Sequence, residues 1–222
     1  MLKVHGVPFS AHTRKVLIAA LEKGINYELV PVVPLAPPPG WQELSPLGLI
    51  PAIEDDNVRL ADSSVILHYL ERKYPQPSLY PSDVSAYGRA LWIEEFVDSG
   101  LASHVLQGLL MQRVFAPKFL NKAPDEAVIK RSLTEMIPPR LAYLEQQLTG
   151  DFFAGSFSVA DITVASILIN FHYAGEVISE QAYPRLYKHL RRVLARPSVQ
   201  KHLQAEIPAA KSIGALDMRL LS

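Results

Sequence analysis

The spacing of apolar residues along the chain predicts a short α/β unit at the start. Residues 2–6 alternate in polarity and are stopped by Pro8, which predicts a strand. Apolar positions then recur at helical spacing over 10–23, before Gly24 ends the pattern. Residues 27–33 (YELVPVV) predict a second strand. A β-α-β opening normally forms a parallel pair of strands with a right-handed crossover.

A second group of short elements follows. We expect a proline-rich loop over residues 34–41 and a helical turn over 41–47. A strand over 49–54, interrupted by Pro51, should pair with a hairpin partner over 58–60 after an Asp-Asp-Asn turn. A helix is predicted over 62–74. The first part of the chain is therefore predicted to be a βαβ-ββα domain over residues 1–75.

The remainder of the sequence shows no strand pattern. Residues 76–83 lie in a stretch rich in proline and serine (YPQPSLYPSD), which is typical of a linker. Helices are predicted over residues 84–115, 125–148, 158–173, 183–195 and 197–205, so residues 84–222 should form an all-helical domain. Residues 158–173 are apolar nearly all round, which indicates a buried central helix. Pro138 and Pro139 are expected to break or kink the second helix.

Composition excludes several classes of function. Lys and Arg number 22 and Asp and Glu number 22, so the formal net charge is zero. A nucleic-acid-binding protein usually carries a basic excess, so nucleic acid is not an expected partner. The chain has no cysteine, which excludes disulfides, thiolate metal ligands and a cysteine nucleophile. We find neither the apolar core of a signal peptide nor a run long enough to cross a bilayer, and expect a cytoplasmic protein without membrane contact.

Ser10 is the first candidate for chemistry, because it precedes the predicted first helix. A helix N-terminus presents unpaired amide donors and partial positive charge, which stabilise an anion. A hydroxyl at that point can donate a hydrogen bond to a ligand sulfur and favour its thiolate. A simple N-cap explains the same residue, and from the sequence alone that explanation is the stronger one.

Two other segments have a functional and a structural interpretation. Pro51 lies at a strand start, and a cis bond after Ile50 would turn the Ile50 backbone toward a cleft, whereas a trans edge proline is the simpler alternative. Asp62 and Ser63 open the third helix and could bind a charged group or only cap the helix. Ser158 and Asp161 match a capping box, which is structural. The seven histidines show no metal-ligand spacing, and we predict no metal site.

Four of these segments together resemble the cytosolic glutathione transferase superfamily, and the match covers essentially the whole chain. They are KVHGVPFSAHTRKVLIAALEKGINYELVPV, SPLGLIPAIED, LADSSVILHYL and FFAGSFSVADITVAS. The first is most similar to the serine-type phi class and its bacterial relatives. The resemblance implies an N-terminal thioredoxin-like domain, a C-terminal helical bundle and a homodimer.

The resemblance also implies a role for each matched residue. Ser10 would donate its hydroxyl to the glutathione sulfur, Ile50 before a cis Pro51 would pair with the cysteinyl backbone, and Asp62 and Ser63 would hold the γ-glutamyl end. Members of that family commonly have a Lys or His that pairs with the glycyl carboxylate, but loop 34–41 contains no such cation. Leu49 stands where the family often has a polar residue near the same end of glutathione. Gln42 or Trp41 is the alternative anchor that the sequence offers.

The leading hypothesis is a glutathione transferase that activates the thiolate for attack on a small hydrophobic electrophile or a peroxide. The electrophile is expected to contact the following residues: Phe9, Leu35, His104, Gln107 and Met111. A non-catalytic binding or regulatory protein with the same fold is the alternative. A zeta-type isomerase fits less well, because that group typically has a Ser-Ser-Cys-like segment where this chain has PFSAHT.

Overall fold

The structure, a computed structural model that describes residues 1–219, begins with a four-stranded mixed sheet. The strands are β1 (Leu2–Gly6), β2 (Tyr27–Pro31), β3 (Ala52–Asp55) and β4 (Val58–Ala61), in the spatial order β2-β1-β3-β4. β1 pairs parallel with β2 and antiparallel with β3, and β3 forms a hairpin with β4. The predicted β-α-β opening and the hairpin are both confirmed.

Three helices complete this half of the molecule: α1 (Ala11–Glu22), α2 (Trp41–Leu44) and α3 (Ser63–Lys73). Helices α1 and α3 bury one apolar face against the sheet, in a cluster formed by Val4, Val16, Leu17, Ile53, Ile66 and Leu70. β3 begins at Ala52 and not at residue 49, because Pro51 has no amide hydrogen to donate to a strand partner. The thioredoxin-like arrangement is therefore present.

A nearly continuous helical run opens the second half and mixes α-helical with wider π-helical turns. Its parts are α4 (Val84–Glu95), a π-helical stretch (Phe96–Leu101), α5 (Ala102–Val105), a second π-helical stretch (Leu106–Phe115) and α6 (Ala116–Phe119). The helix predicted over residues 84–115 is thus present and is longer. Gly108 allows a close approach to the next helix, since a Cβ there would clash with the Ser132 hydroxyl.

The second helical run decides one part of an expectation, the break at Pro138 and Pro139. It consists of α7 (Glu126–Arg131), a π-helical stretch (Ser132–Met136) and α8 (Ile137–Gln147), and it is not broken at Pro138 and Pro139. Both prolines fall in the first turn of α8, where a missing amide hydrogen is tolerated. The Arg140 guanidinium donates to the Met136 carbonyl (2.6 Å) and the Gly100 carbonyl (2.7 Å), so polar groups at this junction are satisfied.

The helix α9 (Val159–Tyr173) lies at the centre of the bundle, and each of its residues is buried. A capping box opens it: the Ser158 amide and hydroxyl donate to Asp161 Oδ2 at 2.8 and 3.0 Å. Asp161 Oδ1 accepts from the Phe153 amide at 3.1 Å and lies 2.8 Å from His189 Nε2. Both oxygens of the buried Asp161 carboxylate, in the first turn of α9, therefore have polar partners.

Two helices finish the bundle, α10 (Pro184–Leu194) and α11 (Pro197–Ile213). The prediction that the last helix ends at residue 205 is wrong. Pro208 lies inside α11, but it is exposed, and buried Glu206, Ala210 and Ile213 hold the helix against the core. Packing of that face outweighs the local cost of the proline. No helix among residues 1–219 is long and apolar enough to cross a membrane.

The buried His172 near the end of α9 gives a testable pH dependence of stability. Its side chain is 8% exposed, and Nδ1 lies 3.7 Å from Asp217 Oδ2, too far for a hydrogen bond. Burial lowers the pKa of His172 to about 4, although Asp217 opposes the shift. Between about pH 6.5 and pH 4, His172 is protonated in the unfolded chain and neutral in the folded chain. Stability should therefore fall as the pH is lowered through this window, by up to about 3 kcal/mol.

The measurement is urea denaturation at a series of pH values, for the wild type and His172→Gln. The difference between the two curves isolates His172 from the other histidines. We expect the variant to have the flatter dependence between about pH 6.5 and pH 4. Parallel curves would contradict this assignment.

Candidate functional site

The register of the sheet brings three of the predicted site segments to one edge. His5 pairs with Ala52, and Ala52 pairs with Ala61 on the next strand. The end of β1, the start of β3 and the end of β4 therefore lie side by side. The residues that follow or precede these points are Ser10, the Ile50–Pro51 pair and Asp62, so the N-termini of α1 and α3 face the same edge.

Ser10 is the N-cap of α1. Its backbone is extended, with φ −71° and ψ 126°, and its side-chain oxygen accepts from the Thr13 amide over a long 3.4 Å contact. Among residues 1–219 no acceptor takes the hydroxyl hydrogen of Ser10, whose side chain is only partly buried. The hydroxyl can therefore donate to a ligand placed at the positive end of α1.

The bond between Ile50 and Pro51 is cis. Pro51 is buried, whereas Ile50 is half-buried and Leu49 is 63% exposed. Neither the amide nor the carbonyl of Ile50 is hydrogen-bonded to another backbone group within the described part of the chain. An extended ligand backbone could pair with these two groups as a further strand would.

Asp62 has an uncommon backbone conformation for a residue with a side chain, with φ 78° and ψ 126°. Such outliers concentrate at functional sites. Its Oδ1 accepts from the amides of Ser64 (2.9 Å) and Val65 (3.1 Å), which caps α3. No donor from residues 1–219 reaches Oδ2, so this exposed oxygen is available to an ammonium group. Ser63 is buried at the first position of α3.

A buried charge cluster links α1 to α3 and to the long helical run. Lys15 is 1% exposed and donates to Glu94 (2.8 Å), Asp98 (2.5 Å) and Ser64 (3.1 Å). His12 Nδ1 lies 3.5 Å from the other oxygen of Asp98. Burial lowers the pKa of His12, and Asp98 opposes that shift. The cluster fixes α1 relative to α3 beside Ser10.

A second buried network surrounds Arg14, four residues after Ser10. Its guanidinium donates to both carboxylate oxygens of Glu206, at 2.9 and 2.5 Å, and both side chains are fully buried. Tyr173 (2.6 Å) and His202 (2.7 Å) also contact that carboxylate. Burial alone would raise the pKa of Glu206, but Arg14 and His202 outweigh it and lower the pKa to about 2. Glu206 is therefore ionised at neutral pH.

The structure separates the residues predicted to contact an electrophile. The Phe9 ring lies 6.2 Å from the Phe115 ring, which lies 6.0 Å from the partly exposed Phe119 ring. Leu35 is 47% exposed in its loop. Met111 is half-buried on the π-helical stretch that ends at Phe115. An aromatic row therefore leads away from the loop that holds Ser10.

His104 and Gln107 lie elsewhere. They line a groove of about 390 Å³ between the two long helical runs, together with Gly108, Val128, Arg131 and Met136. None of the first 80 residues lines this groove. Burial and the charges of Arg140 and Arg131 lower the pKa of His104. Both residues therefore face the groove between the two helical runs, His104 from α5 and Gln107 from the π-helical stretch that follows it.

Loop 34–41 has an exposed surface and contains no Lys, Arg or His. Gln42 is exposed at the start of α2, whereas Trp41 is 4% exposed and packs beneath the loop. The Trp41 indole nitrogen has no hydrogen-bond partner within residues 1–219. No group of three or more His, Asp and Glu side chains in that range could hold a metal ion.

Sequence reasoning did not find the two buried networks. Arg14 and Lys15 interrupt the apolar face of α1, and Asn170 and His172 interrupt the all-apolar α9. A polar side chain at a buried helical position needs a partner. That signal was present in the sequence, but it does not identify the partners, since Glu206 lies 192 residues after Arg14.

Comparison with known proteins agrees with this architecture. Models described as "Glutathione S-transferase, N-terminal domain" and "Glutathione S-transferase, C-terminal domain" match residues 4–78 and 110–206. The chain is 28% identical over 219 residues to glutathione S-transferase Z1 of Arabidopsis thaliana, covering 95% of each. It is 30% identical over 166 residues to glutathione S-transferase 3 of Zea mays, covering 72% of this chain and 73% of that protein. The solved structure of a glutathione S-transferase from Rhodospirillum rubrum F11 matches with a TM-score of 0.83 at 25% identity, over 91% of this chain and 92% of that one.

Proposed function

The chain belongs to the glutathione S-transferase superfamily, and from this premise we propose that it binds glutathione and activates the thiol at Ser10. The observation that carries the proposal is the uncommitted Ser10 hydroxyl at the N-terminus of α1. A free thiol has a pKa of about 8.5 and is mostly protonated at neutral pH. The partial charge of the helix and one donated hydrogen bond both favour the thiolate, which is the reactive nucleophile.

The rest of the ligand fits the other two segments. The Ile50 amide and carbonyl are the partners we propose for the cysteinyl backbone, beside Pro51. Asp62 Oδ2 would accept from the γ-glutamyl ammonium group, while the Ser63 amide at the start of α3 would donate to the γ-glutamyl carboxylate. These assignments are supported by the open hydrogen-bonding groups at one sheet edge.

The glycyl end is the weak part of the proposed site. We propose exposed Gln42 as its anchor, because loop 34–41 supplies no cation. A neutral amide replaces a charge-assisted contact there, and such contacts contribute about 1.5–3 kcal/mol. Glutathione should therefore bind more weakly, by about tenfold or more, than to a site with a Lys or His at that point.

For the electrophile, the aromatic row of Phe9, Phe115 and Phe119 is the site that we propose, in place of His104 and Gln107. It is supported by the ring contacts that start at the residue before Ser10. With an aryl halide, a bond forms between the glutathione sulfur and carbon, the carbon–halogen bond breaks, halide leaves and the thiol proton passes to solvent. Conjugate addition and peroxide reduction use the same thiolate and stay open.

The second candidate function is a non-catalytic binding protein with this fold. The uncharged loop 34–41 and the exposed Leu49 favour it, because both weaken the glycyl end of the site. A homodimer, a cytoplasmic location and a domain boundary at residues 76–83 stay predictions.

Glutathione binding is tested by a thermal-shift titration of the wild type and Asp62→Asn. Asparagine also caps helices well, so the variant should fold normally and lose only the charge that faces the ammonium group. We expect glutathione to raise the melting temperature of the wild type, and the variant to need about 10-fold or more glutathione for the same rise. The absence of any shift at millimolar glutathione would exclude the proposed enzyme. Equal shifts for both proteins would remove Asp62 from the site.

A further inference from the structure

The two backbone carbonyls just before Ser10 are bound by side chains within and beyond α1. The Phe9 carbonyl accepts from Arg14 Nη2 at 3.2 Å and from Asn170 Nδ2 at 3.1 Å. The Pro8 carbonyl lies 3.3 Å from His202 Nε2. The loop that ends at Ser10 is therefore attached to α9 and α11.

Arg14 and Asn170 are themselves held by further hydrogen bonds, and His202 Nε2 has its shorter contact with Glu206 Oε2 at 2.7 Å. Arg14 makes a two-point contact with Glu206 and donates through Nη1 to Asn170 Oδ1 (2.6 Å) and the Ser166 carbonyl (2.7 Å). Arg14, Asn170 and His202 are all buried. Each side-chain nitrogen and oxygen of Arg14 and Asn170 is paired, which leaves these side chains few alternative rotamers, so they transmit the positions of α9 and α11 to the loop.

Ser10 itself has little else to fix it. Among residues 1–219 its side-chain oxygen has only the 3.4 Å contact with the Thr13 amide, whereas its backbone amide donates to the Val7 carbonyl at 3.1 Å and its backbone carbonyl accepts from the Arg14 amide at 2.8 Å. The direction of the hydroxyl therefore depends on the preceding peptide units. Helix N-terminal fields fall off within the first turn, so a small displacement of the hydroxyl weakens its effect on a ligand anion.

We propose that Arg14, Asn170 and His202 are positioning residues that hold the Pro8–Phe9 loop so that the Ser10 hydroxyl meets the glutathione sulfur. The inference rests on the proposed function and adds to it a dependence of the site on α9 and α11. It differs from a purely structural role, because it requires loss of the contacts to change the ionisation of the bound thiol and not only the stability of the protein.

The choice of variant for the test depends on the charged groups near Ser10. His12, Lys15, Asp62 and Asp98 lie near Ser10 on α1, α3 and the long helical run, and none of them contacts Asn170 in the described residues. Glu206, Tyr173 and His202 surround Arg14. Asn170→Ala removes one donor to Phe9 without changing any charge, so it is the variant of choice.

His189→Gln is the matched control. His189 is also buried against α9, makes one 2.8 Å contact with Asp161, and lies away from the Ser10 loop. His189→Gln should lose about 1–3 kcal/mol of stability from one buried hydrogen bond, and Asn170→Ala should lose more, because Asn170 also accepts a hydrogen bond from Arg14. Only Asn170→Ala should affect Ser10.

Two measurements decide the proposal. The first is hydrogen exchange of the peptide that covers residues 7–14, expected to be about tenfold faster in Asn170→Ala than in the control. The second is the pH profile of kcat/KM for conjugation of glutathione to chlorodinitrobenzene. Its acid limb should move up by about 0.5–1 pH unit in Asn170→Ala, with the loss in kcat larger than the change in KM, and stay unchanged in His189→Gln.

An acid limb that does not move in Asn170→Ala would overturn the inference, whether or not exchange becomes faster. So would an equal movement in His189→Gln, because the effect would then follow stability alone. Failure of the proposed function looks different: the wild type itself would show neither turnover nor stabilisation by glutathione.

Discussion

Ser10→Ala is expected to lower kcat for conjugation of glutathione to chlorodinitrobenzene by about 100-fold, because removing one donor from a charge that it stabilises typically has an effect of this size. The hydroxyl contacts only the sulfur in the proposed site, so KM for glutathione should change much less. The bound thiol should ionise at higher pH, and the acid limb of the pH profile should move up by about 1–2 units.

Ser10→Thr provides the control, since it restores a hydroxyl at the same N-cap. We expect it to recover most of the activity and the original acid limb. Loss of the cap is a minor complication, because the cap contact is long at 3.4 Å and alanine at such a position costs about 1 kcal/mol. Unchanged turnover in Ser10→Ala would remove Ser10 from catalysis and leave the fold assignment intact.

Glu206→Leu is expected to destabilise the protein by about 3–5 kcal/mol, the largest effect on stability that we predict. The substitution leaves Arg14 buried and charged without its carboxylate, and Tyr173 and His202 also lose a partner. The pKa of Glu206, about 2 against 4.5 when unfolded, leads to the same conclusion. Its contribution is fully present above about pH 4.5 and is lost as the pH falls through the folded value. Urea denaturation near neutral pH measures the loss.

Two variants test the explanation. Tyr173→Phe removes only one hydrogen bond from the network and should cost about 1.5–3 kcal/mol, because that bond is donated to a charged carboxylate. Arg14→Met combined with Glu206→Leu removes both charges, and should be more stable than Glu206→Leu alone because no unpaired charge stays buried. A double variant as unstable as the single one, or a Glu206→Leu loss no larger than that of Tyr173→Phe, would contradict the buried-charge explanation.

Local sequence signals were enough for most of the fold. The helical spacing after Ser10, the turn before Val58 and the all-apolar run of α9 each mark an element within a few residues. The helix predictions that differ from the structure lie at prolines. Pro208 and the pair at 138–139 disfavour a helix locally, yet the pair falls in the first turn of α8, and buried side chains on either side of Pro208 keep α11 intact. Propensity is a local quantity, and burial of a distant face is not visible in it.

The same distinction applies to the candidate site. Ser10, Pro51 and Asp62 each stand at an element boundary, but taken alone these residues favour helix capping and an edge proline, and only the resemblance implies a role in a site. His104 and Gln107 were predicted from one face of a regular helix, whereas the structure has π-helical turns in this run and lines a separate groove with both residues. The partners of Arg14 depend on contacts across nearly the whole chain, which no local pattern specifies.

The ion pair between Arg14 and Glu206 sets an order of events during synthesis. The two residues are 192 positions apart, so a ribosome that adds about 5–20 residues per second leaves the arginine waiting roughly 10–40 s for its carboxylate. Until then a nascent chain can form its sheet, but the cationic side chain has to stay in water. The protein should therefore acquire the proposed activity only after residue 206 has been translated and has left the ribosome.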